Sequence, residues 1–320
     1  MAKNTQKKCL VCYKPSTDQY HVKCAKKLFG TSGSPKLELS LADVEQMAKD
    51  VVNKRLAVPG VQKKLSLDLE AFRAKDGPTK RLTIVGYLGG THILKPPSDE
   101  YPSMPEIENL TMLLAEVSGI ETAPHGLIRM EDFKLAYITR RFDRVGRKKV
   151  AVEDLCQLSE MPTEQKDKST AERVGRVIRQ YSSNPGDDAL KYFELTIFSF
   201  VTGNADMHMK NFSMICADTG RVSMAPAYDL LATRLLIPND EDELTLSVAG
   251  RKHGMNRQDF KKLGSNLSIP DLTIERTLNS FISFEKAYKD MIDLSILDDE
   301  LKRGYKGLIS ARLKRLNGGS

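Results

Sequence analysis

GNADMHMKNF, residues 203–212, is the stretch on which the reading of this chain turns. It follows DALKYFELTIFSFVT (188–202), a run apolar nearly all round, as expected of a helix buried inside a larger lobe. Asp206 is followed five positions later by Asn211. A carboxylate and a carboxamide at that spacing, on a loop behind a buried helix, match a protein-kinase catalytic loop. There the Asp accepts the substrate hydroxyl proton and the Asn holds a metal ion. Eighteen residues beyond Asn211, after an expected strand pair, Asp229 in AYDLL supplies a second carboxylate where a kinase needs its other metal ligand. A loop Asp taken singly is more often a turn former or a helix cap. Together and in this order, the groups favour phosphoryl transfer.

Working outward, Lys95 closes the β-like run of HILKP, the place of a lysine that grips nucleotide phosphates. Glu108, in the first turn of the next helix, is placed to hold it as an ion pair. Earlier, RLAVPGVQKK (55–64) could turn backbone N–H groups toward phosphates around Gly60, with Lys64 as counter-charge. It carries a single Gly and matches neither the P-loop nor the kinase glycine-rich pattern.

Between these points the pattern is β-rich early and helical late. GTSGSPK (30–36) reads as a linker behind a Cys-rich head. Ser40, with Asp43 three residues on, opens a helix. From 56 to 95 come β-like runs split by Asp-Gly-Pro and Gly-Gly turns. Pro105 starts a helix that stops at Gly119, and two antiparallel strands follow around a turn at Glu131–Asp132. After about residue 145 the chain is mainly helical, with two short strands at 211–216 and 222–225. The expected domains are a Cys/His-rich head (1–30), an N-terminal lobe with phosphate loop and lysine (31–144) and a helical C-terminal lobe with the catalytic loop (145–320). The fold class is α+β, with a β-rich small lobe and a mainly helical large lobe.

The 320 residues are 40% apolar and 28% charged, which excludes a disordered chain. The longest uncharged apolar run, 195–203, is too short to span a bilayer, so no membrane association is expected. The basic N-terminus has no apolar run behind it, which points away from secretion and toward a cytoplasmic protein. A net charge of +7 favours acidic partners, yet little aromatic interleaving accompanies the basic clusters near both ends, which read as solvated faces.

VPGVQKKLSL, HILKP, EIENLTMLLAEVSGIETAPHGLI, YITRRFDR, VEDLCQL, GNADMHMKNFSMI and APAYDLLA occur in that order, and the series resembles the HipA family of bacterial Ser/Thr kinases. The likeness covers roughly residues 30–315 and is nearest to the short HipT form of HipBST toxin–antitoxin modules. It implies a bilobal, protein-kinase-like fold using ATP and Mg²⁺. Asp206 would be the base, with His208 and Lys210 as helpers, and Asn211 and Asp229 the Mg²⁺ ligands. Lys95 would be the phosphate clamp, Gln62 and Lys64 part of the phosphate loop, and Ile138–Arg141 the adenine-facing hinge. The implied partners are a HipB-like DNA-binding antitoxin, through which DNA is met only indirectly, a HipS-like small protein, and an aminoacyl-tRNA synthetase as substrate. One departure stands out: HipT loops carry two regulatory serines where this chain has Ala57 and Pro59. A catalytically idle kinase fold acting as co-repressor with a DNA-binding antitoxin is the alternative, and the intact Asp206, Asn211, Asp229 and Lys95 argue against it.

The head holds Cys9-x₂-Cys12-x₈-His21-x₂-Cys24. Three thiolates and an imidazole suit tetrahedral Zn²⁺, while a redox-active CxxC is the competing reading. His92, His125 and His253 read as structural or exposed, and Cys156 and Cys216 as core.

Overall fold

The computed structural model describes residues 7–44, 46, 64–74, 77–85, 89–146 and 148–319. The chain divides into two compact units: Met1–Asn109 with Ala123–Arg147, and Leu110–Thr122 with Lys148–Ser320.

The first unit is built on a five-stranded antiparallel sheet. Its strands are β1 (Leu65–Ala74), β2 (Gly77–Ile84), β3 (His92–Lys95), β4 (His125–Arg129) and β5 (Leu135–Arg140), in the order β2-β1-β3-β5-β4. Alternation in LSLDLE drives β1, where Leu67 points fully into the core between half-exposed Ser66 and Asp68. Ala74 pairs with Gly77, so Gly77 and Pro78 belong to β2 rather than to the expected turn. Proline is tolerated there because β2 is the sheet edge. β3 lies at the centre, with Leu94 paired to Leu65 on one side and Ile138 on the other. Ser40 and Asp43 exchange reciprocal bonds at the head of a helical turn, as the sequence pattern required. The expected phosphate-loop segment through residue 63, with Ala57, Pro59, Gly60 and Gln62, lies outside the described residues.

The Gly/Ser/Pro stretch separates the Cys-rich head in sequence, but the head is not isolated in space. Its helix α1 (Val22–Phe29) buries Ala25, Leu28 and Phe29. The amide of Leu127 in β4 donates to the Leu10 carbonyl at 2.8 Å, and the Tyr20 hydroxyl returns to the Leu127 carbonyl at 2.8 Å. Helix α2 (Met104–Val117) follows β3 and ends as expected, with Gly119 left-handed at φ 78°.

The second unit is mainly helical around a three-stranded sheet. β6 (Ala151–Asp154), β7 (Ser213–Cys216) and β8 (Val222–Met224) pair in the order β8-β7-β6. β7 starts two residues later than expected, because Met209–Asn211 coil into a 3₁₀ turn. β6 has no alternating pattern of its own to announce it. Beyond it come α3 (Leu155–Leu158), α4 (Ala171–Tyr181) and α5 (Pro185–Thr202). In α5, Pro185 occupies the first turn and Tyr192, Phe193, Ile197, Phe198, Phe200 and Val201 are fully buried. Its apolar surround therefore did report a buried helix. The chain closes with α6 (Thr233–Leu236), α7 (Arg257–Asn266), α8 (Asp271–Ser283), α9 (Glu285–Leu294) and α10 (Asp299–Leu316).

The late basic cluster is not simply a solvated face. Arg312 is buried, paired with Glu243 and set 4.7 Å from the Phe200 ring centre, and Arg315 binds the same carboxylate at 2.6 Å. Glu243 is thereby held below the usual carboxylate range, its burial outweighed by the two guanidinium groups and the Met255 amide. No helix among the described residues is long and apolar enough to cross a membrane.

Candidate active site

The groups expected to act on nucleotide and acceptor fall in both units. In the first, Lys95 is the last residue of β3 and Glu108 lies one turn into α2. Their side chains form an ion pair, with Lys95 only 3% exposed and Glu108 fully buried. The Lys95 ammonium also stands 5.3 Å from the centre of the Tyr137 ring. Taking two such charges out of water costs several kcal/mol per ion, on the order of what their attraction returns. An apolar pair would serve a core as well, so this arrangement fits a group kept for chemistry.

The Lys95–Glu108 turn is tightly fixed. Asn109 Oδ1 accepts from His125 Nδ1 at 2.8 Å, and its Nδ2 donates to the Val11 carbonyl at 3.5 Å. His92 binds the Leu28 carbonyl through Nε2 at 3.0 Å, so His92 and His125 are structural, as expected. Glu106, two residues before Glu108, is partly buried, and desolvation lifts its carboxyl to about 7. Ile138 is buried in mid-strand, and just past β5 Arg141 grips Asp143 with two bonds of 2.9 and 2.8 Å. Lys64 is exposed at the start of β1.

In the second unit, α5 delivers the chain to Gly203, left-handed at φ 71°. A Cβ there would come within 2.6 Å of Leu308 and 3.0 Å of the Arg234 Cβ, so only glycine fits. The loop is then tied from several sides. Asn204 N–H donates to Ser199 O at 2.9 Å, Ala205 N–H to Thr233 Oγ1 at 2.9 Å, and Thr245 N–H to Ala205 O at 2.9 Å. On this frame Asp206 is the exposed residue between buried neighbours. The surrounding protein nevertheless raises the pKa of its carboxyl, chiefly by desolvation. The Asp229 and Asp167 charges push the same way, and His208 and Lys166 oppose them.

His208 is buried, with Nδ1 lacking a hydrogen-bond partner among the described residues, and burial lowers its pKa against the pull of Asp206. The Lys210 ammonium binds Asp154 at 2.8 Å, and Asp154 caps α3 through a reciprocal capping box. Asn211 is buried in the 3₁₀ turn. Tyr228 stitches the second carboxylate to this loop: its hydroxyl donates to the Lys210 carbonyl at 2.8 Å and meets Ser213 Oγ at 2.6 Å. Asp229 follows in the left-handed region at φ 59°, a conformation that Asp tolerates better than most residues and that concentrates at functional sites. Lys166 and Asp167, from the loop before α4, also act on Asp206; nothing in their local sequence signals it.

The donor set suits a hard cation. Asn211 and Asp229 offer oxygen only, and Mg²⁺ is characteristically held by one or two carboxylates together with substrate phosphates. In the head, by contrast, Cys9, Cys12, His21 and Cys24 place their ligand atoms within 4.8 Å of one another. Cys156 is buried, while Cys216 at the end of β7 is only partly so, contrary to the expectation of a core thiol.

The description "HipA-like C-terminal domain" matches residues 56–288. The Sinorhizobium fredii protein Y4mE is 36% identical over 206 residues, 62% of this chain and 47% of that protein. The serine/threonine-protein kinase toxin HipA of Shewanella oneidensis is 28% identical over 214 residues, 61% of this chain and 47% of the toxin. The chain thus spans about half the length of the curated relatives it matches. Among solved structures, HipA from the Shewanella oneidensis HipA–HipB–operator DNA complex superposes with a TM-score of 0.68 at 20% identity, covering 86% of this chain and 71% of that one. The Helicobacter pylori proinflammatory kinase CtkA superposes at 0.52 and 13% identity, over 73% of this chain and 87% of that one. Both likenesses carry the fold: an α+β, kinase-like architecture with a β-rich and a mainly helical part. With the family description spanning most of its length, the chain belongs to the HipA-like C-terminal domain family.

Proposed function

We propose that this chain is an ATP-dependent protein serine/threonine kinase, the toxin of a HipBST-like toxin–antitoxin module. The observation that carries the reading is the buried Lys95–Glu108 ion pair between a central strand and the following helix. A strand lysine paired with a helix glutamate is a working part of protein kinases, where it orders the phosphate-gripping amine. Kinship with a HipA named as a Ser/Thr kinase toxin supports the same activity.

Bound ATP with Mg²⁺ supplies the phosphoryl group and neutralises its charge. Lys95, aligned by Glu108, holds phosphate oxygens, with Gly60, Gln62 and Lys64 contributing as a phosphate loop and Ile138–Arg141 flanking the base. Asn211 and Asp229 hold the metal. Asp206 orients the acceptor hydroxyl and takes its proton, a task its raised pKa favours because a stronger base accepts more readily. His208 assists Asp206 as a helper in the same loop, and Lys210 keeps the loop in place through Asp154. Residues 31–144 thus hold nucleotide and 145–320 perform transfer.

The partners follow from kinship. A HipB-like DNA-binding antitoxin is supported by the related HipA that was solved with HipB and operator DNA. A HipS-like companion, an aminoacyl-tRNA synthetase as acceptor and a cytoplasmic location follow from the resemblance to short HipT proteins. The test is incubation of the purified protein with γ-labelled ATP, Mg²⁺ and cell extract, then mass spectrometry of labelled proteins. Phosphoserine or phosphothreonine on a synthetase is the expected result; no protein-bound label would refute kinase function, and label on another protein would refute the synthetase assignment.

A further inference from the structure

We propose that Cys9, Cys12, His21 and Cys24 form a tetrahedral Zn²⁺ site that staples the head to the turn of α2 bearing Glu108. No part of the matched family segment reaches this site, since that segment begins at residue 56.

Local backbone geometry makes the ligands converge. The Tyr13 amide donates to the Cys9 carbonyl at 2.9 Å and the Cys9 amide to the Lys14 carbonyl at 2.9 Å. These bonds close a tight knuckle that turns both thiols to one side. Tyr13 completes it at φ 60°, a strained conformation for an aromatic residue and one kept where the surroundings demand it. His21 is the N-cap of α1, and Cys24 lies in that helix's first turn, where the dipole favours a thiolate.

The distances are those of a metal polyhedron. Zn–S bonds of about 2.3 Å and Zn–N bonds of about 2.0–2.1 Å at the tetrahedral angle place sulfur and nitrogen about 3.6 Å apart. His21 Nδ1 lies 3.4 Å from Cys12 Sγ and 3.8 Å from Cys24 Sγ, on either side of that edge length. All four ligand atoms fall within 4.8 Å of one another. The other ring nitrogen, Nε2, stands 2.9 Å from the Pro15 carbonyl. Donation to a backbone carbonyl is how a ligating imidazole is normally oriented, and it leaves the Nδ1 lone pair facing the sulfurs. Binding displaces the thiol protons, and the resulting site carries one net negative charge, balanced by exposed Lys7, Lys14, Lys23, Lys26 and Lys27.

The knuckle is also bonded to what lies beside it. Val11 O accepts from Asn109 Nδ2 at 3.5 Å, and the Tyr13 hydroxyl donates to Glu106 O at 3.4 Å. Asn109 and Glu106 flank Glu108 on α2. Val11 and Leu28 press so closely on Gly126 of β4 that an added Cβ would lie 2.8 and 2.9 Å from them. Metal at the knuckle therefore fixes the backbone from which Glu108 reaches Lys95.

Elemental analysis of full-length protein, purified without a metal-affinity resin, should find about one zinc per chain. Cys12→Ser should lose it, while Cys156→Ser and Cys216→Ser keep it. Protein stripped by chelator and reloaded with Co²⁺ should show the intense visible bands of a tetrahedral ion and thiolate-to-cobalt charge transfer, both erased by added Zn²⁺. Chelation should also lower Tm. If Cys12→Ser does not fold, the wild-type cobalt spectrum decides alone. A weak octahedral spectrum, metal-free protein that refuses Co²⁺, or a Cys9–Cys12 disulfide in freshly reduced and re-exposed protein would each overturn the site.

Discussion

The Cys/His knuckle and the catalytic loop are both short polar constellations, but they gather their ligands differently. In the knuckle, three sulfur atoms and an imidazole nitrogen lie within 4.8 Å of one another. Around Asp206, Asn211 and Asp229 no comparable group of three His, Cys, Asp or Glu ligands converges among the described residues. Hard oxygen donors are instead held on a frame of backbone bonds, with Tyr228 joining the Asn211 turn to the Asp229 segment. The difference matches the two proposed roles. Converged thiolates suit a resident structural ion, whereas sparse carboxylate and amide ligands suit an ion that arrives with phosphates and completes its shell from them.

Four changes press on this contrast. The largest effect is expected at the proposed proton acceptor. Asp206→Asn should slow substrate phosphorylation by about 10²–10⁴ while leaving nucleotide binding and zinc content near wild type. Near-normal rates would remove Asp206 from its role. Next, Glu108→Gln removes the carboxylate from the buried ion pair with Lys95. Breaking a buried pair in this way costs about 3–5 kcal/mol, read as a shifted denaturation midpoint together with weakened nucleotide binding. An unchanged midpoint would mean that the pair is not the buried anchor described.

A smaller effect is expected at the proposed metal ligand Asp229. Asp229→Asn should raise the Mg²⁺ concentration needed for nucleotide binding by at least about tenfold, ~1.4 kcal/mol, without changing zinc content. The smallest is a pH effect at Glu106. Its carboxyl, lifted to about 7 by burial, is protonated in the fold at pH values where the unfolded chain ionises it. Stability from this group is therefore full below the ordinary glutamate pKa and is lost as pH rises to about 7. Glu106→Gln should gain on wild type in chemical denaturation at pH 8 and lose most of that advantage near pH 5. An equal difference at both pH values would exclude the titration.

Much of the proposed site was legible in sequence, because its groups lie close together along the chain. The Asp206–Asn211 interval lies within one loop, Gly119 ends its own helix, and Lys95 and Glu108 are only thirteen residues apart across one strand–helix connection. What was not legible depends on distant partners. β6 exists because β7 pairs with it, and its own Ala-Val-Glu-Asp has no strand pattern. Lys166 and Asp167 approach Asp206 only through the packing of a separate loop, where the Met209 amide meets the Lys166 carbonyl at 3.2 Å. Arg312 and Arg315 read as surface charges because Glu243, their common partner, is about seventy residues away. The head read as separate because a linker is visible in sequence and its bonds to Leu127 are not.

The contrast between the two metal chemistries is most directly tested by calorimetric titration of Mg²⁺ into zinc-loaded protein, with and without a non-hydrolysable ATP analogue. Saturable Mg²⁺ binding should appear only with the analogue, disappear in Asp229→Asn, and leave one zinc in place throughout. Mg²⁺ binding of equal strength without nucleotide, or displacement of the zinc by Mg²⁺, would contradict the account.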